Sequence, residues 1–256
     1  MLMTRVMPCL LVENGRLVKT INFKNPAYVG DPVNAIKIYN EKEVDELILL
    51  DIRATVEGRE PPFELLAGVA DECFMPLTYG GGIGKLDDIR KIFNLGIEKV
   101  AINSFASRDP DFISRAAEIY GNQSIVVSID VRKTLFGKYA VFTRSGRKAT
   151  RYNPVEYAVG MEQMGAGEIL LNSIDRDGTW KGYDIPLIRK VTNSVNIPVI
   201  ACGGAGSIQD FREAVKQGGA SAVAAGSMVV YSGKGLGVLI NFPKQTDLRE
   251  ILQETT

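Results

Sequence analysis

Eight short β-branched or aliphatic runs are spaced along this chain with a helical pattern between successive runs, and that alternation restricts its fold more than any other feature. After each strand the chain must return before the next can pair in parallel, so repeated βα units feed a parallel sheet covered by helices. The runs fall at 5–12, 46–52, 75–79, 99–103, 124–130, 168–173, 197–201 and 222–225. Helical periodicity occupies 32–43, 61–73, 85–95, 110–120, 154–164, 185–195 and 208–217, and a final helix is expected at 246–253 after an irregular glycine-rich segment. Several helices open on proline, whose missing N–H costs nothing in the first turn. Eight βα units in 256 residues predict one α/β domain over 1–256, closed as a (β/α)8 TIM barrel.

The chain also resembles itself at an offset of about 122 residues, an internal duplication of a four-βα unit with halves at about 1–122 and 123–256. Met75-Pro76 through Gly81-Gly82 falls on Ile197-Pro198 through Gly203-Gly204, and Ser104 after one strand matches Ser227 after its counterpart. Each half therefore carries a Gly-Gly turn after one strand and a small hydroxyl residue after the next. Backbone N–H groups bared by glycine, with a hydroxyl nearby, are the donors that an anion needs. Two such places on one rim point to a substrate with two phosphates.

Composition narrows the chemistry. Thirty basic and thirty acidic residues cancel, and no lysine or arginine run is dense enough for a nucleic-acid surface. The longest apolar runs fall short of a membrane span, and Arg5 interrupts the apolar start, so no signal peptide or membrane association is expected and the location should be cytoplasmic. Cys9, Cys73 and Cys202 lack metal-type spacing and read as reduced thiols in core or strand positions, with no metal site expected. The chain has no histidine, so acid–base work must rest on Asp, Glu, Lys, Tyr or Cys. No cofactor is implied.

Two connections are long enough to be binding loops. The first, 13–32, contains an Asn14-Gly15 hairpin turn, and the second, 131–152, alternates through Tyr139-Ala140-Val141-Phe142-Thr143 into a Ser145-Gly146 turn. Both should lie over the mouth of the barrel, where barrel enzymes place their sites.

Taken in order, Arg5-Val6-Met7-Pro8-Cys9-Leu10, Gly15-Arg16-Leu17-Val18-Lys19, Gly80-Gly81-Gly82-Ile83, Lys99-Val100-Ala101-Ile102-Asn103, Gly165-Ala166-Gly167-Glu168-Ile169-Leu170-Leu171, Ser173-Ile174-Asp175-Arg176-Asp177-Gly178-Thr179 and Gly203-Gly204-Ala205-Gly206 resemble the HisF family over nearly the whole chain. That family is the cyclase subunit of imidazole glycerol phosphate synthase. The resemblance implies a HisH-like glutaminase partner, ammonia passing through the barrel, and two catalytic aspartates at the ends of the first and fifth strands. Asp130 matches the second of these, but Leu11 stands where the first belongs, and leucine has no proton to give or take.

Other positions match the family. Lys19 corresponds to its substrate-contacting loop lysine. Gly82, Asn103 and Ser104 correspond to one phosphate site, and Asp177, Gly178, Gly203, Gly204, Gly226 and Ser227 to the other. At the opposite end, Arg5, Glu46, Lys99 and Glu168 match a salt-bridged ring that gates ammonia. A conduit without the cyclase pair resembles the HisF-like branch that works with a glutaminase and an N-acetyl sugar amidotransferase in surface-polysaccharide synthesis. The segment 231–243 before the last helix is similar to that branch as well. The expected function is thus an ammonia-channelling subunit with a phosphate-binding rim. The alternatives are a true cyclase of histidine biosynthesis, or a structural partner of the glutaminase that binds no small molecule.

Overall fold

A computed structural model describes residues 4–253, so the expected domain limits at 1 and 256 lie outside the described residues. The barrel strands are β1 (Arg5–Glu13), β2 (Leu47–Asp51), β3 (Leu77–Gly80), β4 (Lys99–Ile102), β5 (Ile125–Lys133), β6 (Glu168–Ser173), β7 (Val199–Cys202) and β8 (Ala222–Ala225). Each pairs in parallel with its successor, and β8 pairs with β1, which closes a (β/α)8 barrel. Closure leaves no edge in the central sheet.

The expected strands all form, with ends that shift for identifiable reasons. β3 and β7 begin just after Pro76 and Pro198, which have no N–H for the ladder. β5 runs on to Lys133 because its last residues pair antiparallel with the strand Tyr139–Thr143. The first long connection likewise folds into antiparallel strands Arg16–Ile21 and Lys24–Gly30 against β1. Outside the barrel stand α1 (Pro32–Glu41), α2 (Phe63–Glu72), α3 (Leu86–Asn94), α4 (Asp111–Tyr120), α5 (Pro154–Gln163), α6 (Ile185–Thr192), α7 (Ile208–Lys216) and α8 (Gln245–Gln253). Asn153 and Asp31 cap α5 and α1, each followed by the proline that opens the helix. None of the helices among the described residues is long and apolar enough to cross a membrane.

The pleat sends alternate residues inward. Met7 and Cys9 on β1, Ile48 on β2, Ala101 on β4, Val126 on β5, Leu170 on β6, Ile200 and Cys202 on β7 and Ala222 and Ala224 on β8 form one buried cluster inside the barrel. The residues between them on each strand belong to a second cluster, the core between barrel and helices. Because the period is two, the inward row on β5 ends at Asp130 and that on β6 at Asn172, which stand side by side in register.

The duplication extends to three-dimensional detail. Gly81 and Gly203 both have left-handed backbones, and a Cβ on either would stand 2.5 Å from the carbonyl of Asp51 or 2.7 Å from that of Ser173, the terminal residues of β2 and β6. Asp88 accepts from the amides of Gly84 and Lys85, and Asp210 accepts from those of Gly206 and Ser207, so the same cap opens α3 and α7. The two halves thus place their glycine turns equivalently on the same end of the barrel.

Candidate functional site

A cleft of about 1020 Å³ opens at the C-terminal ends of the strands. Lys19, Asp130 and all nine residues expected to hold phosphate line it, and so does Leu11. Residues scattered from 19 to 227 converge because every one of them lies on or just past a strand end of the same closed barrel, or on the hairpin folded over it.

The two halves present their small hydroxyls alike. Asn103 (φ −113°, ψ −80°) and Gly226 (φ −107°, ψ −82°) share one backbone conformation, and each leads into a short helix, Ser104–Arg108 or Ser227–Val230. These one-turn helices were not legible as helices in the sequence, being too short for periodicity to register. In the first half, Asn103 Nδ2 donates to the Ser128 carbonyl at 2.9 Å and to Asp130 Oδ2 at 3.3 Å, and Ser104 Oγ donates to Asn103 Oδ1 at 3.0 Å. The side chain of Asn103 is thereby tied to the inward face of β5.

Asp130 is buried at the floor of the cleft. Loss of water, with the neighbouring charge of Asp177, pushes its pKa up to about 7, so near neutral pH it can both hold and release a proton. Leu11, near the end of β1 where the resemblance to the family implies a carboxylate, lines the same cleft as an apolar side chain 7% exposed. Asp51, a cleft-lining carboxylate at the end of β2, is committed elsewhere: it accepts from the amides of Arg53 and Ala54 at 2.8 and 2.9 Å and pairs with Arg59 at 3.5 Å. Asn172 Oδ1, buried next to Asp130, has no hydrogen-bond partner among the described residues and is an acceptor left open at the cleft floor.

Lys19 comes in from the first hairpin. Its ammonium is buried and meets Asp177 Oδ1 at 3.4 Å, while Thr20 Oγ1 donates to Asp177 Oδ2 at 2.9 Å and the Asn22 amide donates to the Asp177 carbonyl at 2.9 Å. Burial alone would lower the Lys19 pKa, but Asp177 and the thiols of Cys9 and Cys202 outweigh it and hold the amine charged. Asp177 therefore anchors the hairpin and faces Lys19. Cys9 and Cys202 are buried thiols, and Cys202, in contact with Cys9 and shut off from water, is held well above the usual thiol range. Cys73 is free and half-buried at the end of α2.

The second hairpin closes over the first-half site. Its tip donates from the Arg144 amide to Ser104 Oγ at 2.9 Å and from Ser145 Oγ to the Ile52 carbonyl at 2.6 Å. Gly146 sits against Phe23 of the first hairpin, so the two loop tips touch across the mouth. Arg108, Arg144, Lys148 and Arg151 also line the cleft, a contribution that strand and turn patterns did not single out.

The four charged residues expected at the N-terminal end form a closed ring inside the barrel. Arg5 bridges Glu46 at 2.6 Å and Glu168, and Lys99 bridges Glu46 at 2.9 Å and Glu168 at 3.0 Å. Thr78 Oγ1 adds a bond to Glu46 at 3.0 Å. Charges of alternating sign neutralise one another where water is scarce. Above the ring lies the apolar interior, and above that the cleft.

Comparison with known proteins agrees with this architecture. The family model described as histidine biosynthesis protein matches residues 5–235. The chain is 54% identical over 243 residues to a Pseudomonas aeruginosa protein provisionally described as imidazole glycerol phosphate synthase subunit hisF2, covering 95% of this chain and 97% of that one. It is 47% identical over 248 residues, 96% and 98% of the two chains, to a Leptospira interrogans protein with the same provisional description as subunit HisF. It is 50% identical over 228 residues, 89% and 90% of the two chains, to imidazole glycerol phosphate synthase subunit HisF of Hyphomonas neptunium. With its barrel closed, its duplicated glycine turns in place and these relatives matched almost end to end, the chain belongs to the HisF family of histidine-biosynthesis barrels.

Proposed function

We propose that this protein is the barrel subunit of a glutamine amidotransferase, receiving ammonia from a HisH-like glutaminase at the Arg5/Glu46/Lys99/Glu168 ring and delivering it to a phosphorylated ligand in the cleft or to a further acceptor enzyme. One observation carries the choice: Leu11, buried at the cleft where a second carboxylate would face Asp130. A cyclisation that needs an acid and a base on opposite sides of the substrate has only one of them here. The apolar interior between ring and cleft suits neutral ammonia, since a charged ammonium would lose its hydration there.

The preferred acceptor is an N-acetyl sugar, amidated by a dedicated amidotransferase in surface-polysaccharide synthesis. The support for it is Leu11 together with the similarity of 231–243 to that branch of the family.

A cyclase of histidine biosynthesis is the second reading, and Asp130 favours it. A carboxyl titrating near 7 in a closed cleft is suited to general acid–base work, and the relatives bear synthase names. With ammonium salts and the phosphoribosyl cyclase substrate, turnover should lie about 10²- to 10⁴-fold below that of an enzyme with both carboxylates, and Leu11→Asp should raise it. Full cyclase turnover by the unmodified protein would reject the first reading. In the complex with the glutaminase and the sugar amidotransferase, Lys99→Ala should reduce glutamine-dependent product and spare the ammonium-dependent reaction. Equal loss with both nitrogen sources would point to a damaged fold or a role in the site, and no loss with either would mean that the ring is a structural ion network with no part in transfer.

A further inference from the structure

Where the barrel interior meets the cleft, its inward rows turn from apolar to polar within one layer. Leu170 and Ile200, paired in register on β6 and β7, are followed two residues on by Asn172 and Cys202. Beside Asn172, in register on β5, stands Asp130, and all three residues of this layer line the cleft.

Asn172 is 5% exposed, yet its Oδ1 accepts from no donor among the described residues. A buried amide oxygen without a donor is costly, so a donor that reaches it is held. Gly203 keeps that oxygen uncovered, since a Cβ there would stand 2.7 Å from it. Asp130 accepts from Asn103 Nδ2 through Oδ2 at 3.3 Å. Burial and Asp177 push its pKa up to about 7, so near neutral pH it carries a proton to give. Asp177 and the Cys9 thiol act on Asp130 directly. Lys19 and Cys202 line the same cleft, Asp177 takes up the Lys19 charge, and Phe142, paired with Asp130 from the second hairpin, brings none.

We propose that Asp130 and Asn172 form a capture site for ammonia at the top of the barrel interior, where Asp130 protonates it and Asn172 Oδ1 accepts from the ammonium formed. This rests on the reading of the barrel as an ammonia route. The Asp130 proton moves to the nitrogen lone pair and leaves a carboxylate, which together with Asn172 Oδ1 receives N–H bonds. Water is too weak a base to take that proton, whereas amines hold protons to higher pH than carboxylates do. A molecule that crosses the apolar interior uncharged is thus held as a cation, which cannot return through the same interior without losing its hydration. The carboxylate takes the proton back when the nitrogen leaves for its acceptor.

The test follows the Asp130 side-chain carboxyl by 13C NMR through a pH titration of the full-length protein, with Asp130→Asn identifying the resonance. Ammonium chloride, potassium chloride and tetramethylammonium chloride are compared at equal ionic strength. A cation bound to the carboxylate favours its ionised form, so ammonium at ten times its Kd should lower the apparent pKa by about one unit. Potassium, which has no N–H to donate, should need at least about tenfold higher concentration for the same shift, and tetramethylammonium should give none. Asn172→Leu, similar in size but without the oxygen, should raise the ammonium needed about tenfold, and Asn172→Thr, which restores an acceptor, should recover part of the affinity. No shift with ammonium, an equal shift with potassium or tetramethylammonium, or an ammonium shift unchanged in Asn172→Leu would each overturn the capture site. None of these outcomes decides whether ammonia passes the Arg5/Glu46/Lys99/Glu168 ring, which the Lys99→Ala comparison tests separately.

Discussion

Gly226 leaves the space that the Lys19 ammonium fills: a Cβ at Gly226 would stand 2.3 Å from Lys19 Nζ and 2.6 Å from Cε. The glycine is therefore a requirement of the lysine, and the second-half site and the first hairpin are built against each other. Gly226→Ala should push the ammonium off Asp177 and cost about 1–3 kcal/mol by overpacking. In a Lys19→Ala background, which removes both the ammonium and Cε, the same change should be close to neutral. A double-mutant cycle by urea unfolding checks this, and additive losses would show that Gly226 does not act through Lys19.

Removing the other partner should be more severe. Asp177→Ala would leave the buried Lys19 ammonium unpaired and take away the acceptor of Thr20, at a cost of about 3–5 kcal/mol. Hydrogen exchange should then speed up in the strands Arg16–Ile21 and Lys24–Gly30 before it does in the barrel. Unchanged protection there would mean that the hairpin is anchored by other contacts.

Asp130 should make stability depend on pH. Its folded pKa is raised to about 7 by burial and by Asp177, against about 3.9 for an ordinary aspartate. The folded state then holds a proton that the unfolded chain has already released, so stability falls as pH rises from about 4 to about 7 and levels off above it, with a total on the order of 4 kcal/mol. Asp130→Asn should flatten that slope and raise Tm above pH 7. A slope that persists in the variant would assign the dependence to another group.

The ring at the base should be sensitive to the loss of one member. Lys99→Ala leaves Glu46 and Glu168, both buried, with Arg5 as their remaining counter-charge, and about 3 kcal/mol of stability should be lost. Replacing all four by apolar residues of similar volume should cost far less or even stabilise the fold, while abolishing glutamine-dependent transfer. Retained transfer in that quadruple variant would reduce the ring to a structural network.

The alternation of strand and helix patterns, the glycine pairs repeated at a fixed offset and the match to the family were enough to place every barrel strand and to collect Lys19, Asp130 and the residues expected to hold phosphate on one rim. These are local or periodic features, and a parallel barrel converts them directly into position, because each strand end is brought to the same face. Leu11 could be read in the same way, since its meaning is the absence of a group. What the sequence left open depends on contacts between distant segments. That Asp177 is spent on Lys19 and Thr20, that Gly226 makes room for an ammonium over 200 positions away in the chain, and that the hairpin tip carries Arg144 onto Ser104 all follow from closure of the barrel and from folding of the two loops across its mouth. The raised pKa of Asp130 belongs to the same class: it comes from burial, and no side chain is buried until the whole barrel has closed around it.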